Sequence, residues 1–300
     1  MSFVKMNTHN EHHYIPKFLL NGWHSGEDEK LSQMRWIRGQ MTEKRYKAKS
    51  VAKERHLYSM KKFSAQPNPE IEPKFMSKHV DEPAAIVHKT ILANGLRGMS
   101  EEQKYTWTMF LVSLVFRGPG SIEHVRESGI DAIASQFPDG VESTTGLPDS
   151  SRELLDLYLR RDQSLLDLGT YALPELIQTS TYNKLFFEAE WGIRQITKTK
   201  ERLLLGDRPL TLLGLDERLE LVYLPLAPDI TFFASRSAPM KQWVSSLTDI
   251  QLVRRMNRGM VEQASIYVWG SNFEHRKLLE KRLNRTPASR GIGIGHRPAL

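Results

Sequence analysis

The sequence predicts an α+β protein, a helical middle packed with a mostly antiparallel sheet built from strands near both ends of the chain. Three observations predict it. LSQMRWIRG (31–39) alternates apolar and polar residues near the start. Helical periodicity fills the middle. Runs rich in aliphatic and β-branched residues, broken by Gly and Pro, follow residue 191. Strand and helix patterns do not alternate regularly, so a doubly wound parallel sheet is not expected. One domain is anticipated over residues 1–270, made of an N-terminal strap (9–62), a helical part (79–190) and a strand-rich part (191–270). Residues 271–300 read as a basic C-terminal extension with a mobile end.

The strap opens with HNEHHYIPKFLLNGW (9–23), three histidines followed by a proline and an apolar run. Pro16 fixes the chain direction, and Phe18, Leu19, Leu20 and Trp23 are the expected anchors in the core. SAQPNPEIEPK (64–74), with three prolines, reads as a loop or boundary. Asp81-Glu82-Pro83 reads as a helix start, with acidic residues at the positive end and proline in the first turn, and the helix runs to Asn94-Gly95. Ser100 with Gln103 forms a capping box for a second helix, whose stripe of Trp107, Phe110, Leu111, Leu114 and Val115 should stop near Arg117-Gly118-Pro119. Ser150 with Glu153 is another capping box, and helices are expected to continue to about Leu185. WGIRQITKT, ERLLLGDRPLTLL and LELVYLPLAPDITFFAS each read as one strand. A helix over 249–265 and a final strand, IYVWGS, complete the order.

Hydrophobic residues make up 40% of the chain and charged residues 26%, enough apolar material for a sizeable core. The chain has no cysteine, which removes disulfides, thiolate metal sites and cysteine nucleophiles and suits a reducing cytoplasm. The opening lacks a signal peptide's apolar stretch, and no run approaches the roughly 18 apolar residues that span a bilayer, so a cytoplasmic protein with no membrane partner is expected. The net charge of +7 is unevenly spread. Residues 30–62 carry 11 Lys and Arg against 2 Glu, and residues 274–300 carry 7 basic against 2 acidic. Residues 119–190 reverse the balance, with 13 acidic against 5 basic. Such asymmetry points to one basic surface for phosphates or an acidic partner, although solvated faces also vary in sign.

Several chemical signatures are missing. There is no GxxxxGK[ST], HExxH or G-x-S-x-G, and GIGIG (291–295) has no helix after it to cradle a phosphate. His12 and His13 are neighbours, so in a strand they face opposite sides and one metal would not take both. His13 is the histidine of interest for chemistry.

The opening H-Y-I-P-x-F-L-L-N-G-W at 13–23 resembles a bacterial family known as domain of unknown function four-two-three-eight. Further marks follow in the family's order. They are Val51-Ala52-Lys53-Glu54 with Tyr58, Glu82 before Ala84-Ala85, Arg117 closing a helix, Trp191, an aspartate turn, Pro225-Leu226-Ala227-Pro228, Asn257, and Ile266-Tyr267-Val268. The resemblance covers roughly residues 11 to 270. Two positions depart from it, Gly206 where the turn's serine is expected and Ala227 where serine is commoner. The resemblance implies the architecture and singles out His13, Glu82, Arg117 and Asp207; it implies no settled activity.

These four residues form a chemically sensible set. An imidazole and two carboxylates, His13, Glu82 and Asp207, are ligands of a kind that Mg²⁺ or Mn²⁺ accepts, and Arg117 can clamp a phosphate or stabilise a transition state. With a basic approach surface, the expected function is a metal-dependent nuclease or related phosphodiester hydrolase of a kind that suits phage defence or a toxin. Each residue also has a structural explanation. Glu82 suits a helix start, Arg117 a helix end, and Asp207 a turn. The alternatives are a non-catalytic nucleic-acid binder, using Lys44, Arg45, Lys47, Lys49, Lys53 and Arg55 interleaved with Tyr46 and Tyr58, and a protein-interaction module using the acidic middle.

Overall fold

A computed structural model of the chain describes residues 11–58, 71–134, 169–213 and 220–284, with isolated positions between 156 and 167. The protein is α+β, and all strand pairings among the described residues are antiparallel. The strap begins with strand β1 (Glu11–His13), a short helix α1 (Lys17–Leu20) and a 3₁₀ turn (Asn21–Trp23). Strands β2 (Leu31–Ile37) and β3 (Gln40–Tyr46) form a hairpin, and β4 (Lys53–Arg55) returns to pair with β1. The first sheet of four strands runs β3-β2-β10-β6, where β6 is Leu205–Gly206 and β10 is Val268–Gly270. The N-terminal hairpin is thus completed by strands from the far end of the chain. The second runs β5-β9-β8-β7, with β5 Glu190–Gln195, β7 Thr211–Leu213, β8 Leu221–Ala227 and β9 Ile230–Ser235.

The opening apolar run works as an anchor. Ile15, Leu19, Leu20 and Trp23 are fully buried, and the Trp23 indole donates to Leu203 O at 2.8 Å. A side chain on Gly22 would press on the Leu226 carbonyl, so glycine lets the strap lie against β8. Helix α2 (Glu82–Asn94) ends as expected at Gly95, whose positive φ suits glycine. It does not start freely. A wide-turned π-type segment, Ile71–Asp81, runs straight into it, so residues 71–74 are helical rather than loop, and residues 64–70 lie outside the described residues. Helix α3 (Glu101–Phe116) opens on the Ser100–Gln103 capping box. Every residue from Trp107 to Phe116 is buried, a continuous burial that a one-sided apolar stripe understates. Helix α4 (Pro119–Ala134) follows after a two-residue break, and α5 (Leu173–Thr179) and α6 (Thr181–Glu188) lead back to the sheet. The Ser150–Glu153 box and the tail beyond 284 lie outside the described residues.

The last third of the chain departs from expectation at four places. LELVYLPLAPDITFFAS is a hairpin, β8 and β9, which turns at Pro228-Asp229. ERLLLGDRPLTLL splits into β6 and β7 in different sheets; Pro209 lacks the N–H that a continuous ladder needs. Helix α7 (Ala238–Ser246) was not anticipated, and the expected extension contains helix α9 (Arg276–Arg282), which buries Leu279. The amphipathic helix α8 (Asp249–Gln263), capped by Thr248 and Gln251, buries Leu252, Val253, Met256, Met260 and Val261. Among the described residues no helix is long and apolar enough to cross a membrane.

Candidate functional site

The antiparallel register places His12 opposite Glu54 and His13 opposite Lys53. As alternation requires, the two histidines separate, His12 into the core and His13 to a half-buried position. His12 Nδ1 accepts from the Tyr58 N–H at 2.9 Å, and its ring stacks on the Tyr58 ring, with centroids 5.4 Å apart. His13 has a buried Nδ1 with no hydrogen-bond partner among the described residues. Burial, followed by the positive charges of Lys17, Lys53 and Arg117, depresses its imidazole to about 4, so it is neutral at neutral pH.

Arg117 is fully buried, although it stands at a helix end. Its guanidinium grips Asp81 with two bonds of 2.6 and 3.0 Å and donates to the His13 carbonyl at 2.9 Å. The Tyr58 hydroxyl donates to the Arg117 carbonyl at 2.9 Å. The opening motif, the Val-Ala-x-Glu stretch and the helix-closing arginine therefore meet at one junction. The acid at that junction is Asp81. Glu82, the acid expected from sequence, is exposed, and it accepts from the Ser77 hydroxyl at 3.3 Å.

Asp207 lies behind the turn that follows β6. Its Oδ1 accepts from Ser265 N at 2.7 Å, and its Oδ2 accepts from Ile266 N at 2.7 Å and Tyr267 N at 2.9 Å. Burial raises its carboxyl, and the three backbone donors partly offset that. These bonds make Asp207 a clamp on the segment entering β10. Asn257 does a similar job, bridging Leu204 N and Arg202 O at 2.8 Å each. Gly206 is explained by space: a side chain there would meet Met260 at about 3.1 Å, so the serine commoner in the family would force a shift.

His13, Glu82 and Asp207 were expected to form a common donor set for Mg²⁺ or Mn²⁺. Among the described residues no three His, Asp or Glu side chains are arranged to hold a metal. The physical reason is visible in the Asp207 bonds to backbone and in the outward position of Glu82.

The clamps instead frame a cleft of about 310 Å³. Tyr14, Lys53 and Glu54 come from the strap, Ser121 from the start of α4, and Asp207, Arg208 and Tyr267 from the far end of the chain. Ala52 and His56, which flank β4, hold φ angles of 50° and 58°, left-handed conformations that non-glycine residues adopt at some cost. They present Lys53 and Glu54 at the cleft. Burial raises the Glu54 carboxyl above its usual value, Arg126 lowers it, and Glu123 raises it again. The Tyr14 phenol is pushed well up by burial. Arg35 donates to the Tyr267 hydroxyl at 2.8 Å, bringing another cation to that wall. Sequence reasoning missed Asp81, Arg126 and Arg208. Asp81 carried a cue as the first acid of the Asp81-Glu82-Pro83 helix start, and Arg208 because it stands inside the aspartate turn.

The six basic residues expected to bind nucleic acid divide into two groups. Arg45 is a clamp on the turn before β2, donating to Asp28 at 2.8 Å and to Lys30 O at 3.0 Å, and Lys53 pairs with Glu11. Lys44, Lys47, Lys49 and Arg55 are exposed, and Lys44 lies 5.4 Å over the Tyr46 ring on the edge strand β3.

Comparison with known proteins gives one result for the family and none beyond it. No curated protein and no solved structure matches the chain. The family described as "Protein of unknown function (DUF4238)" matches residues 11–273, the span that holds the strap, the Arg117 junction, the Asp207 clamp and the cleft they frame. The chain belongs to this family.

Proposed function

We propose that the protein binds nucleic acid and hydrolyses a phosphodiester in the cleft at Glu54. The observation that carries this is a cleft lined by one open carboxylate, Glu54, together with the cations Lys53 and Arg208. A carboxylate suits proton transfer from water, and cations suit a phosphate. In the step proposed, Glu54 takes a proton from water as the water oxygen attacks phosphorus. The bond from phosphorus to the ester oxygen breaks, and the proton passes to that leaving oxygen. Arg208, and Lys53 once it exchanges its Glu11 partner for the substrate, balance the charge on the phosphate, and the Ser121 hydroxyl is available to orient it.

The test is cleavage of end-labelled single- and double-stranded DNA and RNA, with Mg²⁺, with Mn²⁺ and with chelator, by the wild type and Glu54→Gln. Glu54→Gln should retain the fold by circular dichroism and lose at least about 100-fold in rate, the usual size of general-base catalysis. A folded Glu54→Gln that cleaves at the wild-type rate would overturn the assignment, as would no cleavage by the wild type on any substrate.

The exposed Lys44, Lys47, Lys49 and Arg55, with Lys44 over the Tyr46 ring, favour a second reading, a basic binder without catalysis. It predicts binding that weakens steeply with salt and ignores both chelator and Glu54→Gln.

A further inference from the structure

We infer that a second cavity, walled by strands β7, β8 and β9 and helices α7 and α8, binds a small aromatic anion, its ring among apolar side chains and its acid group on Arg255. The cavity measures about 210 Å³. A dry apolar cavity of about 150 Å³ takes benzene, so this one admits a single ring with a small substituent. Tyr223 and Phe233 supply the sheet wall, Met240 and Trp243 project from α7, and Met256 from α8. Thioethers and aromatic faces are adaptable partners for a flat ring.

The charge at the lining selects the acid group. Among the described residues of the lining Glu220 is the one carboxylate, against Arg255 and Arg258. Arg258 is already engaged, its Nε donating to Glu262 at 3.0 Å. Arg255 lies 5.4 Å over the Trp243 ring, and among the described residues no carboxylate pairs with it. A guanidinium over an indole face leaves N–H groups for a carboxylate, which a guanidinium meets with two bonds. Glu220 disfavours a second acid group, so the ligand is a monoanion. Gly259 helps to shape the site: a side chain there would come within 2.5 Å of the Tyr223 hydroxyl, so glycine lets that phenol lie against α8. None of the lining residues also lines the Glu54 cleft, so this inference stands or falls independently of the hydrolase proposal.

The experiment uses the full chain with ¹³C-methyl methionine, titrated with benzoate and, separately, with toluene. Met240→Leu and Met256→Leu assign the two reporter methyls. Benzoate should shift the Met240 and Met256 signals saturably and leave the remaining methionines in place. Arg255→Gln, a change at an exposed side chain, should weaken benzoate at least about fivefold while toluene binds as before. Val244→Phe, which fills the cavity, should abolish both shifts; if it does not fold, Arg255→Gln carries the decision. Absence of a saturable benzoate shift at both methyls would overturn the inference. Equal benzoate affinity in Arg255→Gln, or binding of toluene alone, would overturn the assignment of an anion.

Discussion

The cleft at Glu54 and the cavity at Arg255 differ in how sequence builds them. The cleft draws its walls from short polar stretches, Tyr14 in the opening motif, Lys53 and Glu54 in the strap, and Asp207 and Arg208 in one turn. Each stretch is held by a buried polar clamp. Arg117 ties the helical layer to the strap, and Asp207 ties the β6 turn to the segment entering β10. The cavity has no such signature. Its residues come from three strands and two helices and are ordinary core formers except for the charged groups at its lining. A polar motif marks where backbone must be held. An apolar cavity arises where neighbouring elements leave a gap, and no local pattern records that.

The sharpest way to break the comparison is at the junction. Arg117→Ala leaves Asp81 and the His13 carbonyl without their partner in the interior, and removing one member of a buried pair costs about 3–5 kcal/mol. Thermal unfolding should show a fall on the order of 10 °C. A change of only a degree or two would mean that Arg117 is dispensable to the frame.

Asp207→Ala should cost less, about 2–3 kcal/mol, because the three stranded N–H groups lie toward a cleft that can admit water. This variant sharpens the comparison. Benzoate should still shift the Met240 and Met256 methyls while binding at the cleft is impaired. Equal damage to both would show that the two cavities respond as one unit.

The smallest effect is a pH dependence from His13. Its imidazole titrates at 6.5 when unfolded and at about 4 in the fold, so the unfolded chain holds the extra proton between those values. The contribution is complete above about 6.5 and is lost as pH falls toward 4. Urea unfolding at pH ~7 and ~4.5 should show wild type losing about 2 kcal/mol more than His13→Gln. Identical losses would remove His13 from the account.

These contrasts show which parts of the molecule the chain makes readable. Helices α2, α3 and α8 followed from periodicity, capping residues and the Gly95 stop, because their hydrogen bonds are local. The strap's anchoring followed from Pro16 and the buried Leu19, Leu20 and Trp23. Strand pairing was far less readable. The Leu221–Ala227 and Ile230–Ser235 hairpin looked like one strand because both arms are apolar, and β6 and β7 looked continuous until the sheets separated them.

The site divides in the same way. The family resemblance singled out His13, Glu82, Arg117 and Asp207 as polar positions of interest, and a buried charged or imidazole group must find partners. Their partners were decided only by tertiary structure. Arg117 met Asp81 rather than a ligand, Asp207 met three backbone amides, and Glu82 turned outward. The sequence by itself determined the α+β class and the basic strap, because periodicity and charge are properties of neighbouring residues, and its family motifs marked the polar positions. Only the three-dimensional packing decided that those marks would be clamps and that Lys53, Glu54 and Arg208 would share the open cleft, because that depends on which distant strands pair and which faces they turn inward.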